Sequence, residues 1–472
     1  MHHRNRLLLS LLSVVLGLAT FTALAALQIV PGGTWTASNG EHLNAHGAGV
    51  IQVNNTFYLI GEDKSQGSSF FAVNCYSSVD LVQWTYEGAL LSRTSSSSGD
   101  DNDDLGPNRI IERPKVIYND LTKKYVMWMH VDSSNYGDAK VGVATSDTVC
   151  GKPYEYHGSF RPLGMESRDI GLFKDDDDGR AYLLTEDRKN GLRINLLTPD
   201  YLSISGTTST HLFPTAIESP ALLKLSSGRY YLFGSHLTGW SPNDNVYTTS
   251  TNLSGPWTDW KIFADKGSNT YASQTSFILN YGNGNVMYMG DRWHSNNLQS
   301  SSYIWLPLNI TETEVILKNR GSWIPNADSD LPWTESPAEK SYEGEQGEYS
   351  GGAREVSCAG CSRGKAAGYI GGTSTNGSIT ITGIKSNNGG EGGVTTIQIR
   401  YKNGDTNPRY AGVSVNGGAP QKVAFEGTAG EVGVSSVVVR GFRKGSGNTI
   451  VVSGWEGAGW GPDVDRVVVP VE

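Results

Sequence analysis

"ESPALLKLSSGRYYLFGS", residues 218–235, decides the reading of this chain. A polar residue precedes a short apolar run, a Ser-Ser-Gly turn follows, and the second run is dominated by Tyr, Leu and Phe: the pattern of a β-hairpin. The phrase recurs as "HGAGVIQVNNTFYLIGE" from His46, "ERPKVIYNDLTKKYVMWMH" from Glu112, "RDIGLFKDDDDGRAYLLTE" from Arg168 and "QTSFILNYGNGNVMYMGD" from Gln274. Taking Gly47, Glu112, Asp169, Glu218 and Gln274 as the leading residues, the spacings are 65, 57, 49 and 56. A strand-built repeat near ~50 residues is the period of a radial array, in which each small sheet buries its faces only against its neighbours.

The expected fold is therefore all-β: a five-bladed β-propeller over residues 26–333, followed by a β-sandwich (jelly-roll) module over 334–472. With 58 Gly, 22 Tyr and 12 Trp, the 472-residue composition suits a turn-rich β protein of more than one domain. In a propeller the residues that open the inner strands point into one funnel. Three carboxylates among them, Glu112, Asp169 and Glu218, would repel one another to no structural benefit, which favours a solvated catalytic pocket. "KDDDDGR" (174–180) lacks the alternate ligand spacing of a calcium loop and ends in Asp-Gly, a hairpin turn.

Residues 1–25 have a basic lead, an apolar stretch and small residues before Ala26, as in a secretion signal. A membrane anchor is the alternative, but the uninterrupted apolar run is shorter than the ~20 residues a spanning helix needs, so no membrane association is expected. Secretion implies an oxidising route and two disulfides, most simply Cys75–Cys150 and Cys358–Cys361. Asn54, Asn252, Asn309 and Asn376 open glycosylation sequons. A net charge of −9 argues against nucleic acid as a partner. A monomer is expected.

The motifs around Asp169 and Glu218 resemble glycoside hydrolase family 43, five-bladed propellers that cleave glycosidic bonds with inversion. The resemblance makes Glu218 the general acid and Asp169 the carboxylate that tunes it. An anion beside Glu218 raises its proton affinity, as an acid working near neutral pH requires. For Asp169 a structural salt bridge with neighbouring Arg168 is the competing reading.

Where the family carries a blade-one Asp as base, alignment of the copies places Gly47. That gap, with "AHG", "IERPKV" and "SQTSF", resembles the exo-β-1,3-galactanase branch, which releases galactose from the non-reducing end of β-1,3-galactan. Gln274 would then orient the attacking water and pass a proton through an imidic tautomer, and Glu112 would bind sugar hydroxyls; Glu112 as direct base is the alternative. No cofactor is expected for catalysis. Tyr136, Trp240 and Trp293 are expected to wall the sugar subsite, with Asn44 and His46 as hydroxyl contacts.

From about Tyr342 the sequence is Gly-rich with short strands, and it resembles carbohydrate-binding module family 35. The resemblance implies a structural Ca2+ on Glu343, Glu345 and Asp465, the two Glu alternating on one strand face, and a sugar site from Tyr369, Arg409 and Asp463. The competing functions are a non-catalytic, lectin-like propeller and a family 43 β-xylosidase or α-L-arabinofuranosidase.

Overall fold

In the computed structural model, which describes residues 27–95, 103–372, 376–387 and 393–471, the five recurring phrases form five separate four-stranded antiparallel sheets, each a simple meander. The first is built from His46–Val53, Thr56–Glu62, Ala72–Ser78 and Thr85–Ser92. The first strands of the other four are Arg109–Asn119, Ile170–Lys174, Ile217–Lys224 and Gln274–Asn280. Each first strand lies against the first strand of the next sheet, and the fifth returns to the first. The expected signal segment, residues 1–25, lies outside the described residues. Among the described residues no helix is long and apolar enough to cross a membrane.

Strand alternation explains the arrangement. A residue and its neighbour point to opposite faces, and here both faces are apolar. Met127 and Met129 pack with Ile60 and Val73 of the first sheet, whereas Val126 and Trp128 between them pack with Leu172 and Leu183 of the third. Every space between consecutive sheets holds one such cluster, including the space between fifth and first, filled by Trp305, Tyr303, Phe57 and Leu59. Replacing fully buried Trp128 by Ala would cost about 3–5 kcal/mol, because it empties one of these spaces. Cys75–Cys150 links the first two sheets, and Cys358–Cys361 closes a short turn in the C-terminal module, as expected. "KDDDDGR" is a turn: Lys224 donates to Asp175 and Asp177 at 2.7 and 2.6 Å.

The strand-opening positions carry a correction. Glu112 and Glu218 pair across their hairpins with His130 and Ser235, and each is followed by a left-handed residue in a bulge, Arg113 (φ 53°) and Ser219 (φ 57°). In the first sheet the same place belongs to His46, paired with Glu62 and followed by Gly47 (φ 54°). The leading residue of the first repeat is therefore His46, one position earlier than the alignment put it. Period-2 patterning alone does not reveal a bulge, which adds one residue to one strand.

The C-terminal residues form two sheets around a shared core that includes Ile397, Tyr401, Val413, Phe425 and Val467. The larger sheet recruits Thr34–Trp35 from the N-terminal segment, parallel to Gly433–Val439.

Candidate active site

Four of the five sheets bring their leading side chains to one cleft of about 180 Å³. Its wall includes Glu112, Asp169, Glu218 and Gln274, together with Tyr136, Trp240 and Trp293. Seven of the nine residues assigned to this site from sequence thus come together. Asn44 and His46 do not. Asn44 is buried, its side chain donating to Asp63 at 3.2 Å and accepting from the Lys64 amide at 2.9 Å. His46 is buried against the Tyr303 ring, with Nδ1 2.9 Å from Asp291.

Glu218 is 5% exposed. Burial first, then the neighbouring Asp169 carboxylate, push its carboxyl up to about 8, so it holds a proton at neutral pH. Its Oε1 accepts a 2.9 Å bond from the Gln274 amide. Asp169 accepts from the Ser219 amide at 3.0 Å and hydroxyl at 2.9 Å, which ties it to the strand carrying the acid. The Arg168–Asp169 salt bridge of the competing reading does not form. Arg168 bonds Glu166 at 2.7 Å and the Tyr136 carbonyl, while Asp169 takes Arg113 Nε at 2.8 Å.

Arg113 organises the centre. Beyond Asp169 it donates to Gln274 Oε1 at 2.6 Å and to the Thr275 carbonyl at 3.1 Å. Trp293 Nε1 donates to the same amide oxygen at 2.9 Å, and Gln274 Nε2 also donates to Ser235 at 3.1 Å. All four hydrogen-bonding positions of the amide are therefore filled. A water can join its oxygen only by displacing Trp293 or Arg113. Two donors at that oxygen also disfavour a tautomer carrying a proton there.

Glu112 accepts from Lys64 at 3.3 Å and Tyr136 at 3.0 Å, with His130 Nδ1 3.3 Å away. Burial would raise its carboxyl, but Lys64 and His130 together outweigh burial and hold it well below the usual carboxylate range. Such an anion is a poor base and a firm acceptor. Sequence reasoning missed Glu62, Lys64, Arg113 and His130; the only signal was their polar character within otherwise apolar strand ends. Burial raises Glu62, which also lines the cleft, to about 7, although Lys64 lies 2.7 Å away and opposes the shift. Glu112, His130 and Asp169 bring donor atoms within 4.8 Å of one another, a spacing a metal could use. Lys64 and Arg113 already supply the positive charge there.

Residues 44–276 match the model for glycosyl hydrolases family 43. An exo-β-1,3-galactanase from Phanerochaete chrysosporium, solved with galactose and as variants with β-1,3-galactotriose, is 37% identical. That likeness covers 93% of this chain and 99% of that one, with a TM-score of 0.64. The chain belongs to glycoside hydrolase family 43. It is a glycoside hydrolase. An exo-β-1,3-galactanase from Clostridium thermocellum is 27% identical over 87% of this chain and 100% of that one, at a TM-score of 0.60. No curated protein matches.

Residues 378–469 match a different model from the expected family 35, described as CBM13-like, the CBM13 domain of alpha-galactosidase. The C-terminal unit is thus a carbohydrate-binding module by this likeness. In it Tyr369 (41% exposed) meets Trp460 (45% exposed) edge-on at 5.7 Å, and Arg354 stacks on Tyr369 at 3.4 Å. Arg409 donates to the Gly461 carbonyl beside this pair at 3.1 Å. Half-buried Asp463 borders the Gly368 backbone, next to Tyr369. Trp460, set in "GAGWGP", is a further candidate that the sequence reading did not single out.

Glu343 ends its strand and Glu345 sits in the short turn Gly344–Gln346, so the two do not alternate on one strand as expected. They still converge with Asp465. Ser362 donates its hydroxyl to Glu343 at 3.0 Å and its amide to Asp465 at 2.8 Å.

Proposed function

We propose that this chain is a secreted, exo-acting β-1,3-galactanase that releases galactose from the non-reducing end of β-1,3-galactan with inversion, its five sheets acting as the blades of a propeller. The carrying observation is Glu218: a buried carboxyl, protonated at neutral pH and open to a cleft walled by Trp240 and Trp293. The likeness to a galactanase over nearly that enzyme's whole length supplies the sugar.

Glu218 protonates the departing glycosidic oxygen. Asp169 keeps that proton in place, because ionisation of Glu218 would put two anions side by side. Trp240 and Trp293, edge-to-face at 5.1 Å, offer an apolar wall to the sugar ring. Glu112, fixed by Lys64, Tyr136 and His130, accepts hydroxyls. Gln274 orients the water once substrate displaces Trp293 from its oxygen. A second reading gives the water's proton to Glu62, whose carboxyl near 7 has the basicity that Glu112 lacks. Glu62→Gln and Gln274→Ala separate the two: the base variant loses the acid limb of the pH profile, and the water-orienting variant loses rate at every pH.

In the module, Tyr369, Trp460, Arg409 and Asp463 hold a saccharide. Glu343, Glu345 and Asp465 hold a structural Ca2+, a fit supported by Glu343 Oε2 and Glu345 Oε2, both buried without a hydrogen-bond partner. Oxygen donors of this kind suit a hard cation.

The test is incubation with β-1,3-galactan, β-1,4-galactan, xylan and arabinan, with the products identified. Galactose from the first alone is expected. Xylose or arabinose as the main product would overturn the substrate, and no hydrolysis of any would leave the lectin-like reading standing.

A further inference from the structure

A second cleft, of about 470 Å³, lies where the N-terminal segment and first sheet meet the C-terminal module, well within the range of ligand pockets, which favour such junctions. Trp84 and Gln83 line it from the catalytic side, Gln28 and Asn39 from the N-terminal segment, and Trp455 and Gln421 from the module. We propose that this cleft binds a second neutral saccharide, a galactose-containing chain distinct from the one being cleaved. The sugar class rests on the function proposed above; the site does not.

Three observations point to that chemistry. The lining carries no carboxylate, and its single charged residue, Lys422, is paired with Glu41, so the ligand is uncharged. Two lining residues hold buried N–H groups without a partner, the Trp84 indole and the Gln28 side-chain amide, and a buried donor left unpaired is unfavourable. A hydroxyl-rich ligand brings acceptors of the kind that these donors lack. Finally, half-buried Trp455 gives the cleft an indole wall of the kind that sugars stack upon.

The walls are held together without a ligand. Besides the parallel strand pair, Gln28 donates its backbone N–H to Thr396 at 2.9 Å, and Ala424 donates its backbone N–H to Thr36 at 3.1 Å. Glu41 accepts from both Lys422 and Tyr410. A preformed cleft loses little ordering entropy on binding. Trp455 and Trp460 also belong to one Gly-rich turn, Trp455 in the cleft and Trp460 at the Tyr369 face, so the module presents aromatic walls on both sides of a single loop.

The test uses the full chain carrying Glu218→Gln to stop turnover and Tyr369→Ala with Trp460→Ala to silence the exposed module face. Calorimetric titration with β-1,3-galactobiose at millimolar concentration is expected to show two binding events per chain. Trp455→Ala, or Gln83→Trp filling the cleft from the opposite wall, should remove one event and leave the thermal midpoint unchanged. Stoichiometry that neither substitution alters means the cleft holds water alone and overturns the inference. A single event that disappears with Trp455→Ala sustains the inference while counting against the proposed catalytic cleft.

Discussion

The openings of the first and fourth sheets use the same backbone device to opposite ends. Both place a polar residue before a left-handed bulge residue, His46 before Gly47 and Glu218 before Ser219. In the fourth sheet the side chain is left over the cleft, short of compensating charge, and becomes a loaded acid. In the first, His46 is locked to Asp291 and stacked on Tyr303, and the space at Gly47 is filled from behind by Glu62 and Arg113. Backbone geometry delivers a side chain to the axis; its partners decide whether it does chemistry. The carboxylate missing from the first sheet is thus a rebuilt wall.

The strongest way to break this contrast is at the acid. Glu218→Gln should lower kcat by about 10³-fold with KM little changed, measured as galactose release; a variant retaining a tenth of the wild-type rate would remove Glu218 from its role. The wild-type rate should also fall as pH rises through about 8, where Glu218 loses its proton.

Arg113 connects the two openings, packing at Gly47 while bonding Asp169 and Gln274. Arg113→Met should reduce kcat by about 10²-fold, within the range for a misplaced catalytic group. Because the guanidinium opposes protonation of Glu218, its loss should move the alkaline limb upward. Arg113→Lys should return the limb toward its original position without full rate. An unmoved limb in the Met variant would make Arg113 a packing residue only.

Restoring a carboxylate in the first sheet should fail. A Cβ at Gly47 would lie 2.5 Å from Glu62 Oε1 and 3.2 Å from the Arg113 backbone, at φ 54°. Gly47→Asp should therefore destabilise the fold by about 1–3 kcal/mol, read by denaturant melts, and add no activity. A faster enzyme would show that the gap is a loss. The smallest effect on chemistry belongs to the module: Tyr369→Ala with Trp460→Ala should weaken retention on immobilised galactan by about tenfold and leave cleavage of β-1,3-galactobiose unchanged.

The hairpins were legible because their apolar runs are long, aromatic and bounded by turn residues, as in residues 218–235. The convergence of Glu112, Asp169, Glu218 and Gln274 followed from the repeat alone. What escaped was the register of the first sheet, since a bulge after His46 leaves no trace in period-2 patterning. The cross-strand residues Glu62 and His130 escaped too, because only the pairing Glu112–His130 and His46–Glu62 makes them neighbours of the cleft. Thr34–Trp35 joins a strand some 400 residues away in sequence, at Ser435 and Ser436, a pairing no local pattern encodes.

On the function proposed above, this chain performs inverting hydrolysis through Glu218 without a carboxylate at the opening of its first sheet. The most direct test follows the first minutes of β-1,3-galactan hydrolysis by proton NMR, before mutarotation. The α-anomer of galactose should appear first, and should vanish in Glu218→Gln. A β-anomer appearing first, or galactose released at an undiminished rate by the variant, would contradict the account.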